Sequence, residues 1–368
     1  MSIPQGKRRD QSNRFRARRP FQGKTDRMSA DYMNPYDGAE ARRSGRGITV
    51  IYILGQGHSG STLLTVLLGG ADDAFGAGEL FQWPSRPWQE DWGNRTHCSC
   101  GAIDSECPVW KPIFEQWVSD AGLDFLRYSA MERRLIRLSI HRIVLDYLGL
   151  VDWTGNANFA TYAPQTLALY QSIADTTGKS VIIDSSKNLV RAVILSRIKE
   201  IDLKVIHLVR DPRAVAWSYI KKAGSSRKAV GSKSVARLSV SARIAIASKW
   251  LLSNACAEVL LGDARFQAIR VRYEDLVVNP RDTLSSIQKF TGVDLRPSID
   301  RAAAGHSLKM GHIVAGNRMR RSKVVAIRPD WEWQENLPMF DRVLSRVLSS
   351  GLRTRYGYTK VGKGLKRL

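Results

Sequence analysis

A chain of 368 residues with 57 Lys and Arg against 34 Asp and Glu, net +23, holds one large α/β domain or two small ones. It favours anionic partners: nucleotides, acidic substrates, anionic lipid or nucleic acid. Four cysteines exclude a disulfide-built scaffold and point to a reducing, cytoplasmic setting. With no apolar run of ~18 residues and no apolar segment near Met1, neither a transmembrane helix nor a signal peptide is expected.

Residues 1–46 are poor in aliphatic side chains and carry twelve basic residues, Lys7 through Arg46, against five acidic ones. They read as a disordered tail outside a catalytic unit spanning 47–368. The tail is either a solvated arm or a nonspecific attachment to anionic membrane or nucleic acid, with no specific nucleic acid as partner. Ile48 to Leu54 is β-branched, aromatic or aliphatic, as in a buried strand of a parallel sheet. It breaks at Gly55-Gln56-Gly57-His58-Ser59-Gly60, and Ser61-Thr62 opens an apolar helix from Leu63 to Leu68. A strand, a glycine loop and a helix N-terminus together make an anion site.

Three patterns overlap on that loop. Gly55-x-Gly57-x-x-Gly60 fits a dinucleotide fingerprint, which also needs an acid closing a second strand; Glu79 has the spacing, but Phe75-Gly-Ala-Gly-Glu-Leu does not read as a strand end. A nucleophile elbow needs a second glycine where Ser61 stands. An NTPase loop needs Gly-Lys-Ser/Thr, which is missing. A Ser-Gly-Ser-Thr-Leu-Leu anion loop remains.

A Trp-rich segment from Trp83 to Trp92 precedes His97-Cys98-Ser99-Cys100-Gly101 and Cys107. This spacing departs from the C-x2-C pairs of common zinc sites, so structural thiols or a local disulfide are favoured over a metal held with His97. Helices are expected over Phe125–Leu150, Pro164–Asp175 and Leu189–Glu200, with strands over Ser180–Asp184 and Lys204–Val209. The alternation predicts a three-layer, doubly wound parallel sheet with a P-loop-like phosphate loop. Gly55, Ser185 and Arg210 then fall at strand carboxyl ends, where such sheets collect ligands.

From Pro212 to Ala257 there are basic residues, among them Arg213, Lys221, Lys222 and Lys249, and no acidic ones. This stretch hints at an anionic or lipid-bound acceptor. A long helix over Val235–Leu261, a strand over Arg265–Val271, Tyr273-Glu274-Asp275-Leu276 and a helix opened by Asn279-Pro280 follow. Gly316-Asn317-Arg318-Met319-Arg320-Arg321 forms a late Gly/Arg-rich loop. Arg210 at a strand end and Ser218 eight residues on would suit a phosphate monoester, although a salt bridge at a helix start explains Arg210 alone.

Together, Ser-Gly-Ser-Thr and Arg210…Ser218 resemble the sulfotransferases that use 3′-phosphoadenosine 5′-phosphosulfate (PAPS). The resemblance implies that Gly57, His58, Ser59, Gly60, Ser61 and Thr62 wrap the 5′-phosphosulfate, that Arg210 and Ser218 hold the 3′-phosphate, and that Tyr273 lies by the adenine. His312 to Arg321 resembles the loop that closes over the nucleotide, which brings in Asn317, Arg318 and Arg320. Many members place Lys or Arg where this chain has His58, so the cation at the bridging oxygen is either a protonated His58 or Lys187. Glu79 is the candidate base, by resemblance to branches with a carboxylate after the first helix; no metal is expected. The expected reaction moves a sulfuryl group to a hydroxyl or amine of a small-molecule, carbohydrate or lipid acceptor. The alternatives are a P-loop kinase using Asp184 for magnesium, and a basic nucleic-acid or membrane binder without catalysis.

Overall fold

The computed structural model describes residues 47–81, 83, 97–122, 124–137, 145–150, 155–224, 238–316 and 318–358. The expected tail, most of the Trp-rich segment, the glycine-serine stretch after Gly224 and Asn317 lie outside the described residues.

Strand β1 (Ile48–Leu54) is buried on both faces, which explains its unbroken apolar run. It pairs in parallel with β3 (Val181–Asp184) on one side and β4 (Ile201–Val209) on the other. Strands β2 (Ala74–Gly78) and β5 (Gln267–Arg272) complete a five-stranded sheet in the order β2-β3-β1-β4-β5. Alternate side chains serve opposite layers. Ile51, Ile53, Val181, Ile183, Ile206 and Leu208 join one apolar layer with α1 (Ser61–Leu68), α8 (Tyr273–Val278), α9 (Pro280–Thr291) and α10 (Arg296–Ala303). Other helices include α2 (Trp110–Ala121), α3 (Phe125–Arg137), α4 (Ala157–Thr177), α5 (Leu189–Leu195), α6 (Pro212–Gly224) and α7 (Val240–Leu261).

Register fixes the site. Tyr52 pairs with Asp184, Leu54 with His207, Gly78 with Asp184 and Val209 with Arg272. Gly55, Glu79, Ser185, Arg210 and Tyr273 therefore all follow strand ends on one edge of the sheet. The winding changes sides about β1, so its loop lies at the switch point.

Several boundaries differ from the sequence expectation. Ala74–Gly78 is a strand despite its glycines, because it pairs with β3 and its last residue also bridges to Val314. Helix α5 stops at Leu195, and β4 starts at Ile201, where Ile48 offers a partner. Helix α7 begins at Val240 because Ser239 caps it, accepting from the Ala242 amide at 3.2 Å. By length and composition α7 could cross a membrane, contrary to the sequence reading. In this fold it turns Trp250, Asn254, Ala257 and Leu260 into the domain, and Glu258 pairs with Arg270 of β5.

Candidate active site

The loop after β1 is shaped by close approaches. A Cβ on Gly55 would stand 2.4 Å from the Leu208 carbonyl oxygen, and one on Gly60 would stand 2.3 Å from the Tyr273 ring. Gly60, with φ 94°, hands the chain into α1 without a side-chain cap. The amides of Ser61, Thr62 and Leu63 thus have no acceptor within the helix and face the loop's anion site.

One end of the site is built around Arg210, which follows β4. Its guanidinium donates to the His58 carbonyl at 3.0 Å, pairs with Asp330 at 3.0 Å and lies 4.3 Å from the Tyr273 ring centroid. Ser218, two turns into α6, meets His58 Nδ1 at 2.8 Å. The His58 ring also leans on Tyr219 with centroids 4.2 Å apart. Gln56 donates to Tyr219 at 3.3 Å and accepts from Ser253 at 3.0 Å, which fixes the loop from behind. Arg210 and Ser218 are therefore joined through His58. Gly57 sits beside Tyr219, where a Cβ would come 3.0 Å from the phenol oxygen.

At the other end, Lys187 follows β3 and donates to the Ser185 carbonyl at 2.9 Å, to Ser61 Oγ at 3.3 Å and to Glu79 Oε1. Among the described residues Lys187 is the only hydrogen-bond partner of the Glu79 carboxylate. Gly316 approaches the same carboxylate and Thr62: a Cβ there would lie 3.4 Å from Glu79 Oε1 and 3.6 Å from Thr62 Oγ1. Glu79 itself is pinned by its amide, which donates to Val314 at 3.1 Å.

Of the two candidate cations, His58, with φ 70°, turns its ring to the Ser218 side, while Lys187 reaches Ser61. Burial, reinforced by Lys222, Arg210 and Lys187, lowers its pKa to about 4, so the ring is neutral at pH 7. Asp184, the residue a kinase would need for magnesium, is engaged elsewhere. It is fully buried, accepts from Tyr170 at 2.8 Å and the Ser186 amide at 2.9 Å, and pairs with Arg191, which also holds buried Glu132. With its oxygens committed, Asp184 is a structural anchor and cannot serve as base or magnesium ligand.

Other residues fall elsewhere. Arg213, read as part of a basic acceptor surface, is buried against Asp211 and stacks 4.5 Å from the Trp333 ring. Arg320 is buried and donates to the His97 carbonyl, bracing the cysteine-bearing turn. Arg318 opens the short turn Arg318–Arg321, but its side chain and all of Asn317 lie outside the described residues. Asp330, which the sequence reading missed, faces Arg210 and Lys221 from 120 and 109 residues away in sequence. No local motif marks it.

Two buried polar atoms at the loop lack hydrogen-bond partners among the described residues: Ser59 Oγ and Arg210 Nε. Such orphaned donors beside the loop fit an anionic ligand. The same positive field that depresses the His58 pKa favours one.

An α/β fold thus carries a phosphate-type loop at its switch point, flanked by Arg210 on one side and Lys187 on the other. The profile of the sulfotransferase family matches residues 50–297, and the chain belongs to that family, whose activity is sulfuryl transfer. Among solved structures it is similar to the sulfotransferase domain of the Synechococcus PCC 7002 olefin synthase, with 20% identity over 85% of this chain and 97% of that one, at a TM-score of 0.41. The sulfotransferase domain of the curacin biosynthetic pathway shows 18% identity over 83% and 97%, at 0.43. Sulfotransferase STF1 of Mycobacterium tuberculosis H37Rv shows 17% over 72% and 73%, at 0.38. No curated protein matches the chain.

Proposed function

We propose that the donor is PAPS and that the sulfuryl group passes to an acceptor hydroxyl or amine. The observation that carries this reading is the two-ended site: Arg210, His58 and Ser218 at one end, Lys187, Ser61 and Glu79 at the other, with the amides of α1 between them. Bound there, PAPS would supply the activated sulfuryl group. Arg210 and Ser218 would hold its 3′-phosphate, and Ser59, Ser61, Thr62 and the first amides of α1 its phosphosulfate. Tyr273, already packed on Gly60 and Arg210, offers an aromatic wall beside them.

Lys187 is the fixed cation. It reaches the loop through Ser61, so it can neutralise charge that develops on the leaving phosphate oxygen. Glu79 takes the acceptor's proton through the oxygen that Lys187 does not hold, as the acceptor's bond to sulfur forms and the bond to the phosphate oxygen breaks. The pair starts neutral overall, and both charges are used in the same step. The kinase reading loses its metal ligand, because Asp184 is consumed by Arg191, Tyr170 and Ser186. With Arg213 turned inward and Lys221 paired with Asp330 and Glu332, the basic stretch gives no case for an anionic acceptor.

The test is thermal denaturation with adenosine 3′,5′-bisphosphate, AMP and ATP. A ligand at 100 times its Kd adds ~2.7 kcal/mol. The bisphosphate should raise Tm well above either mononucleotide. Equal shifts with ATP would overturn the PAPS assignment.

A further inference from the structure

Cys98, Cys100, Cys107 and His312 come together outside the anion site, from three separate chain segments. Their three sulfurs and one ring nitrogen all lie within 4.8 Å of one another. Cys100 Sγ is 3.7 Å from Cys107 Sγ, and His312 Nδ1 is 3.7 Å from Cys98 Sγ and 3.3 Å from Cys107 Sγ. A tetrahedral zinc with bonds of ~2.3 Å to sulfur and ~2.0–2.1 Å to nitrogen puts its ligand atoms about 3.5–3.8 Å apart. Three of the six ligand–ligand distances already have about that size. His312, not the neighbouring His97, is the fourth member of the cluster, and all four cysteines of the chain are free, with no disulfide among them.

The backbone around the cluster is braced from both sides. The Cys98 amide donates to Ala102 at 2.9 Å and the Gly101 amide to Cys98 at 3.0 Å, a tight turn that sets Cys98 and Cys100 on one side. Ser99 Oγ donates to the Gly311 carbonyl at 2.8 Å and accepts from the Ile313 amide at 2.7 Å. Trp110 Nε1, on α2 just after Cys107, donates to the His312 carbonyl at 2.6 Å. Three cysteines and one histidine with no open position match a closed structural site rather than a catalytic one.

We propose that these four side chains bind one structural zinc ion, which locks the segment 311–316 beside the catalytic carboxylate. The connection is short. Two residues beyond His312, the Val314 amide donates to Ala77 at 2.9 Å and its carbonyl accepts from the Glu79 amide at 3.1 Å; Gly316 then touches the Glu79 carboxylate. Zinc binding displaces the thiol protons and joins the turn at Cys98, the start of α2 and the strand end at Glu79 through one centre.

The experiment uses the full chain, expressed with added zinc sulfate and purified without chelator. Mass-spectrometric metal analysis should give about one zinc per chain, as a single closed site requires. Cys98→Ser and His312→Ala should each reduce this more than fivefold, whereas Cys256→Ser, which alters the cysteine outside the cluster, should leave it unchanged. Because those variants could unfold, the wild type is also loaded with cobalt(II) in place of zinc. A thiolate-to-cobalt charge-transfer band with tetrahedral ligand-field absorption supports the site. Less than about a tenth of an equivalent of zinc in wild type incubated with zinc sulfate overturns it. So does a non-reducing intact mass two hydrogens short, the mark of a disulfide. Each readout is independent of nucleotide binding.

Discussion

Truncating Arg210 to alanine should cost the bisphosphate far more than AMP. The guanidinium side chain is 7% exposed, and its Nε has no partner among the described residues, so the phosphate it would meet is shielded from water. A charge-assisted hydrogen bond in that setting contributes about 1.5–3 kcal/mol. Removal also frees Asp330, now 3.0 Å from Arg210, to repel the 3′-phosphate, which adds ~1 kcal/mol. The sum, about 2.5–4 kcal/mol, corresponds to a rise in Kd of roughly 70- to 900-fold. Titration calorimetry with adenosine 3′,5′-bisphosphate and with AMP isolates the effect, since AMP has no 3′-phosphate for Arg210 to hold. Arg210→Lys keeps the charge and loses the fork, so its Kd should fall between the two. Asp330→Asn removes a competing anion and should tighten the bisphosphate several-fold, a gain that only a phosphate at Arg210 would produce. A bisphosphate Kd within threefold of wild type in Arg210→Ala, or an equal loss for AMP, would refute the assignment.

Lys187→Ala should lower turnover at least ~100-fold with nucleotide affinity less affected, as for loss of one oxyanion donor, while His58→Ala should be mild; the reverse ranking in single-turnover assays would return the cation's role to His58. Glu79→Gln should leave bisphosphate binding intact and reduce turnover ~10²–10⁴-fold, and a variant within a few-fold of wild type would exclude Glu79 as base. Burial lowers the His207 pKa from 6.5 to about 4, so the unfolded chain binds the proton more readily than the folded one. Its contribution is complete above pH 6.5 and is lost as pH falls through the window down to about 4, by roughly 3 kcal/mol. His207→Gln should flatten that limb in denaturant titrations run at successive pH values, and an unchanged slope would argue against it.

Much of the sheet could be read in advance because β1, β3 and β4 are apolar runs ending in recognisable turns. Strand β2 escaped because Ala-Phe-Gly-Ala-Gly has little strand propensity; pairing to β3 and to Val314 supplies what propensity does not. The loop, Arg210 and Ser218 were legible because their chemistry is local and closely spaced. Long-range partners were not. Asp330 meets Arg210, His312 meets Cys98, and Arg191 meets Glu132 only after the chain has folded back over many residues. Charge counting failed at Arg213 for a related reason: a neighbouring aspartate takes the guanidinium inward, so a basic residue in the sequence is not a basic surface.

Backbone strain singles out the same place by a separate route. Among the described residues, those other than glycine with positive φ are His58, Lys187 and Ala315, at 70°, 62° and 55°. A side chain in that conformation costs of order 1 kcal/mol and persists only where surroundings enforce it. All three border the site: His58 in the loop, Lys187 after β3, and Ala315 next to the glycine that touches Glu79. Each has an evident enforcer. His58 is held by Ser218, Tyr219 and Arg210, and Lys187 by Ser61, Ser185 and Glu79. Ala315 lies between Val314, tied to Ala77 and Glu79, and Gly316. A fold that needed only to be stable would relax these residues, since nothing in the sheet requires them. Their strain aims the His58 ring at Ser218 and the Lys187 ammonium at Ser61, and it turns the chain at Gly316 onto Glu79. On the proposed function, the Lys187 and Glu79 placements are the ones sulfuryl transfer would use, and they stand without a bound substrate.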